Sequence, residues 1–249
     1  MKTIIITGAG SGIGRATAEK LDQQGYDLIL VGRTASRLSE TNNKLTQDAN
    51  CLAIDISNQS AVHKAYKEAL SNKELYAIFA NAGIGGENEY GAEDRWTDVL
   101  NINLNGTYFS IQEAIPYLKN TSGTKHILIT SSCLARFGVP NYTAYCTSKA
   151  GLLGLTKSLA FELSSSQILV NALCPGWVET EMAKAGIQNL ADRQNVPFEE
   201  AYQEQMGFVP LGRMSDPEEI AEFVAYLFSP EQRSITGQSL DINNGSFMI

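Results

Sequence analysis

The chain has 249 residues, 43% hydrophobic and 18% charged, with a formal net charge of −8. Its length allows one α/β domain with a substantial core, and the acidic balance argues against a general nucleic-acid surface and against docking on an anionic membrane. No apolar run approaches the ~18 residues of a membrane span, no signal-peptide pattern precedes the first strand, four scattered cysteines without Cys-x-x-Cys spacing read as reduced thiols of a cytoplasmic protein, and His63 and His126 lack the spacing of metal ligands.

Residues 2–7 read as a short buried strand, and Gly8, Gly12 and Gly14 follow, with Ser11 and Ile13 between them, before a helix over 15–24. A glycine turn between strand and helix presents bare backbone N–H groups and a positive helix end, where a pyrophosphate can sit. The same spacing also suits a tight turn with no ligand. The second strand, 27–31, ends at Gly32-Arg33-Thr34. An acid at this place binds the ribose 2′-OH of a dinucleotide, whereas an arginine accommodates a 2′-phosphate. With Arg33 and no acid, NADP(H) is favoured over NAD(H).

A polar helix is expected over 35–47 and a third strand over 51–55, with Asp55 and Ile56 at its end within reach of an adenine edge. A helix over 60–70, capped by Ser57 or Asn58, leads to a fourth strand over 76–80. That strand runs into the small-residue turn Asn81-Ala82-Gly83, where backbone can approach a ligand closely. The Gly-rich, acidic stretch 84–93 is expected to be an exposed loop. Apolar periodicity then predicts one long helix over 94–118, with Asn103 as a polar residue inside it. The fifth strand, 125–130, ends at Ser131-Ser132, placing hydroxyls at the carboxyl end of a strand.

The next helix begins at Thr143 and carries Tyr145 and Lys149 four residues apart, on one face. A close ammonium favours a phenolate and lowers the phenol pKa from about 10. Such a Tyr can give a proton to a ketone oxygen or take one from an alcohol. A sixth strand over 167–173 is followed by a sharp turn through Pro175, Gly176, Val178 and Thr180. Residues 180–208 read as a flap, helical but broken near Asn195-Val196-Pro197, whose aromatics Phe198, Tyr202 and Phe208, with Trp177 at its root, either line an apolar pocket or pack the flap onto the body. Asp216-Pro217 starts a last helix, and 239–243 is the seventh strand. Seven strands alternating with helices, with no internal linker, predict a single-domain Rossmann-type α/β fold over residues 1–249: a doubly wound seven-stranded parallel sheet with helices on both faces.

In this order and spacing, the motifs resemble those of the short-chain dehydrogenase/reductases. Gly8, Gly12 and Gly14 match the TGxxxGxG turn, Asn81-Ala82-Gly83 the NAG element, Asn103, Ser132, Tyr145 and Lys149 the Asn-Ser-Tyr-Lys tetrad, and Pro175, Gly176 and Thr180 the PGxxxT element. The resemblance covers essentially the whole chain. It departs at Ser11, where NADP-specific members often carry a basic residue, and at Asn243-Asn244-Gly245, where a second glycine is usual. The NADP expectation therefore rests on Arg33, with Thr34 and Arg37 as helpers.

The resemblance implies hydride transfer between nicotinamide and a ketone or secondary alcohol. In that scheme Tyr145 is the acid/base, Lys149 lowers its pKa and binds the nicotinamide ribose, Ser132 orients the substrate oxygen, and Asn103 holds a relay water. It further implies a homotetramer. The pattern is most similar to 3-oxoacyl-(acyl-carrier-protein) reductases and polyketide ketoreductases, which would make the substrate an acyl-carrier-protein or CoA thioester. Arg136, beside Ser132, is the candidate contact for an acidic carrier. The competing expectations are an NAD-linked secondary-alcohol or sugar-alcohol dehydrogenase and a non-catalytic dinucleotide sensor.

Overall fold

The computed structural model describes residues 1–248 and contains one seven-stranded, all-parallel sheet. The strands are β1 Lys2–Thr7, β2 Asp27–Gly32, β3 Asn50–Ala53, β4 Glu74–Ala80, β5 Lys125–Thr130, β6 Ile168–Pro175 and β7 Ser239–Ile242, and their order across the sheet is β3-β2-β1-β4-β5-β6-β7. The helices are α1 Gly12–Gln23, α2 Ala35–Asn42, α3 Gln59–Ala69, α4 Trp96–Leu100, α5 Thr107–Lys119, α6 Thr143–Leu163, α7 Glu181–Gln194, α8 Phe198–Gly207 and α9 Pro217–Leu227.

The sheet is buried on both faces because its central strands carry runs of consecutive apolar residues, and the period-2 alternation divides them between two cores. Ile5, Ile29, Ile78, Ile127 and Val170 face α3, α5 and α6, while Ile4, Ile6, Leu28, Leu30, Phe79 and Leu128 face α1 and α9. A third, smaller cluster lies inside the flap, where Ile187 and Ala191 of α7 meet Ala201 and Met206 of α8. The strand order reverses between β1 and β4. In doubly wound sheets ligands bind outside the carboxyl ends of the strands at this reversal. The two strand ends are tied together there: the backbone N–H groups of Asn81 and Ala82 both donate to Thr7 Oγ1, at 3.0 Å each.

Several sequence expectations require correction. Strand β3 spans Asn50–Ala53, so Asp55 and Ile56 lie in the turn beyond it, where the Asp55 carboxylate accepts from Ser57 N and Oγ. Helix α2 stops at Asn42, and the Asp22 carboxylate takes up the freed N–H groups of Thr46 and Gln47. The helix expected over 94–118 is not continuous. Residues Asn101–Gly106 form a π-helical stretch between α4 and α5, which shifts the face on which its side chains emerge.

Nor is the stretch 84–93 a free loop. Its first half forms a half-buried strap, with Arg95 donating to the Gly85 and Glu87 carbonyls and Asn88 buried. No helix among the described residues is long and apolar enough to cross a membrane.

Candidate active site

The cleft at the reversal is built from loops that leave β1, β4, β5 and β6. The first is the glycine turn. A Cβ on Gly14 would fall 2.2 Å from the Gly8 carbonyl oxygen, and one on Gly12 would fall 2.8 Å from Thr180 Cγ2. Only bare backbone fits at either place, which leaves the turn open at the N-terminus of α1.

Two connected hollows follow. The smaller, about 150 Å³, is lined by Gly8, Ser11, Arg33, Thr34, Asp55 and Ile56. The larger, about 750 Å³, is lined by Ser11, Gly12, Ile13, Asn81, Ala82 and Gly83 on one side and by Ser132, Tyr145, Lys149, Pro175, Gly176, Val178 and Thr180 on the other. Gly8, Ser11, Ala82 and Gly83 belong to both, so the cleft runs unbroken from Arg33 to Tyr145. Of the expected site residues, Gly14 and Asn103 line neither hollow; both stand behind the surface and hold it in shape.

The three arginines near the adenosine end differ in their engagement. Arg15 donates to Gly10 O, Thr41 Oγ1 and Glu40. Arg37 pairs with Glu181 at 2.8 Å. Among the described residues Arg33 has no hydrogen-bond or ion-pair partner, and it lines the smaller hollow with Gly32 and Thr34. Arg37 lines the same hollow and is engaged with the flap. The cleft fits a dinucleotide: bare backbone at the turn, a free guanidinium at one end and a proton-carrying group at the other.

At the reacting end, Tyr145 and Lys149 share the inward face of α6. Lys149 is buried, and its Nζ donates to the Thr130 carbonyl at 2.8 Å. The same Nζ stands 5.7 Å from the centre of the Tyr145 ring. Burial lowers the Lys149 pKa to about 8 and raises that of Tyr145 to about 12, with the Ser132 hydroxyl pulling the phenol back down. The net shift of Tyr145 in this structure is upward, against the lowering expected from a close ammonium. The ammonium points at a carbonyl, and desolvation outweighs a charge held at that distance. Ser132 caps a short 3₁₀ turn and accepts from Leu134 N at 3.1 Å, which leaves its own proton available to donate.

Asn103 is fully buried in the π-helical stretch. Its amide clamps the Ile84 backbone, accepting from Ile84 N at 2.8 Å and donating to Ile84 O at 2.9 Å, and it also donates to Ser148 Oγ at 3.2 Å. Asn103 is next to Lys149: a Cβ on Gly83 would sit 3.1 Å from Asn103 Oδ1 and 3.5 Å from Lys149 Nζ.

The flap aromatics divide. Phe198 and Tyr202 pack into the flap's own cluster, the exposed Phe208 lines the larger hollow, and Trp177 does both. Arg136 is not free to meet a carrier. It donates to Ser239 O and pairs with Asp241, each at 2.9 Å. Sequence reasoning missed Thr130, whose backbone carbonyl has no sequence signature, and it missed Glu87, Tyr142 and Arg193, which also line the hollow.

The family model described as Enoyl-(Acyl carrier protein) reductase matches residues 8–246. A 3-oxoacyl-(acyl-carrier-protein) reductase FabG of Vibrio harveyi is 33% identical over 254 residues, covering 100% of this chain and 98% of the relative. Among solved structures, an actinorhodin polyketide ketoreductase with NADPH superposes with a TM-score of 0.92 at 31% identity, covering 98% of this chain and 97% of that one. A 3-ketoacyl-(acyl-carrier-protein) reductase from Brucella melitensis complexed with NADH gives a TM-score of 0.87 at 28% identity, covering 98% of both chains.

Proposed function

This chain belongs to the short-chain dehydrogenase/reductase family, and from that premise we propose that it is an NADP(H)-dependent reductase of 3-oxoacyl thioesters. The coarser activity, an oxidoreductase acting between a ketone and an alcohol with NAD(P), comes with the family. One observation carries the cofactor choice. Among the described residues Arg33 stands without a partner at the end of β2, Gly32 supplies no acid there, and the nearby Asp55 carboxylate is turned into its own loop.

When bound, the nicotinamide supplies or accepts the hydride. The chain's residues do the rest. The glycine turn with Ser11 and Ile13 holds the pyrophosphate, Asp55 and Ile56 border the adenine, and Asn81, Ala82, Gly83, Pro175, Gly176, Val178 and Thr180 frame the nicotinamide side. Tyr145 gives its proton to the carbonyl oxygen, and Ser132 donates a second hydrogen bond to that oxygen. Lys149 binds the nicotinamide ribose and stabilises the phenolate left behind. Asn103 fixes the Ile84 backbone beside Lys149. In this reading the whole chain works as one domain in the cytoplasm. It assembles as a homotetramer, in keeping with the exposed apolar side chains of Trp96, Tyr108 and Phe161 on α4, α5 and α6.

The test is oxidation of reduced nicotinamide with a 3-oxoacyl thioester, run in parallel with NADPH and NADH. Turnover with NADPH at a kcat/KM at least roughly tenfold above that with NADH is expected, since a lost arginine–phosphate contact costs on the order of 1.5–3 kcal/mol. Equal efficiency with NADH would reject the role given to Arg33, and turnover confined to sugar or secondary alcohols with NAD would reject the substrate.

A further inference from the structure

The hollow that Tyr145 lines also holds a charged pair that the chemistry above leaves unused. Arg193, in the last turn of α7, donates from Nη1 to Glu87 Oε2 at 2.7 Å, joining the flap to the strap across the cleft. Both residues line the same hollow as Tyr145. Among the described residues on that lining, Lys149 and Arg193 are the only cations, and Lys149 is turned to the Thr130 carbonyl at the closed end.

Glu87 is the fixed member of the pair. Its side chain is 17% exposed against 48% for Arg193, and the strap that carries it is held by Arg95 and by Asn88, whose backbone donates to Asn141 O at 2.6 Å. Tyr142 connects the pair to the reacting end. Its ring stands edge-on to Tyr145 with centroids 6.3 Å apart, and its phenol, raised mainly by burial, is raised further by Glu87 and lowered by Arg193. A guanidinium carries five N–H donors in a planar fork. Among the described residues only Nη1 of Arg193 has a partner.

The geometry points to Arg193 as a specificity-determining residue, whose guanidinium, preset by Glu87, receives a carbonyl oxygen at the end of the substrate remote from the reacting ketone. This inference rests on the 3-oxoacyl thioester reading, in which the thioester carbonyl or an amide of its pantetheine arm supplies that oxygen. A cation held by a rigid carboxylate, with donors to spare, is arranged to recognise an acceptor at little ordering cost.

The test uses the full chain with the nicotinamide cofactor it accepts and two ketones: a 3-oxoacyl pantetheine thioester, and a cyclic ketone of similar size with no second carbonyl. Arg193→Met is expected to raise the thioester KM roughly tenfold or more, the scale of a hydrogen bond to a charged group, with kcat little changed and the cyclic ketone unaffected. Arg193→Lys recovers part of the loss, and Glu87→Gln shows a smaller rise on the thioester alone. An equal rise for both ketones would make the pair a latch of the flap and overturn the assignment, as would an unchanged thioester KM. Calorimetric titration of the thioester into wild type and Arg193→Met reads binding without turnover. Wild type that reduces the cyclic ketone but neither reduces nor binds the thioester removes the substrate reading and this assignment together. Wild-type turnover of the thioester with Arg193→Met unchanged removes this assignment alone.

Discussion

The chemistry at the residue scale turns on two groups that burial pushes in opposite directions. Tyr145, at about 12, stays protonated through the working range and is ready to act as an acid. Lys149, at about 8, is the group that changes charge near neutrality. Reductive kcat/KM should therefore fall as pH rises through about 8, while Tyr145→Phe should lower kcat by about 10²–10⁴ at every pH and leave cofactor binding nearly intact. Near-normal turnover by Tyr145→Phe would remove the mechanism.

Linkage gives a second consequence. Lys149 is depressed from 10.5 to about 8, so between those values the unfolded chain binds a proton that the folded chain has released, and stability rises with pH through that window. Below about pH 8 both states are protonated, and the folded protein carries the full cost of a desolvated ammonium. Lys149→Met should therefore raise Tm at pH 7 by a few degrees, at roughly 2–4 °C per kcal/mol for a chain of this size, while abolishing activity. A fall in Tm would show that the Thr130 hydrogen bond outweighs the desolvation.

The π-helical stretch Asn101–Gly106 shows what an element adds to its residues. It turns Asn103 towards the Ile84 backbone, so that one amide satisfies both the N–H and the C=O of a half-buried residue on another segment. Asn103→Ala would leave both without their side-chain partner, at about 1–2 kcal/mol for each half-buried group, the lower part of the range for buried ones. A destabilisation of about 2–4 kcal/mol by denaturant titration is expected, together with lower kcat. A variant as stable as wild type would mean that water replaces the amide.

Sequence alone could not show this arrangement, because α-helix, π-turn and α-helix in succession carry apolar residues at nearly the spacing of one long helix. The strap defeated sequence reading for a related reason. Its glycines and acids read as solvated, whereas its backbone is held by Arg95, by the Asn103 amide and by the Asn141 carbonyl, all outside the stretch. The sheet was legible because strands buried on both faces carry consecutive apolar residues, as in Ile4, Ile5 and Ile6. The Tyr145–Lys149 pair was legible because its spacing is local. Their pKa values were not, since they depend on burial by residues distant in sequence.

At the scale of the whole molecule the excess of acids would decide how a carrier-bound substrate arrives. The chain has 27 acidic and 19 basic residues, and Arg136, the cation nearest Ser132 in sequence, is paired with Asp241. An acyl carrier protein, itself acidic, would approach a surface of its own sign. Like charges slow encounter, and salt relieves that repulsion by shortening the screening length from about 30 Å at 0.01 M to about 10 Å at 0.1 M. Across that range kcat/KM on a carrier-bound 3-oxoacyl substrate should rise, while a neutral pantetheine thioester, which meets the same cleft without a carrier, should respond little. A fall with salt on the carrier-bound substrate would instead place a basic docking patch on this protein, one strong enough to override its net charge of −8.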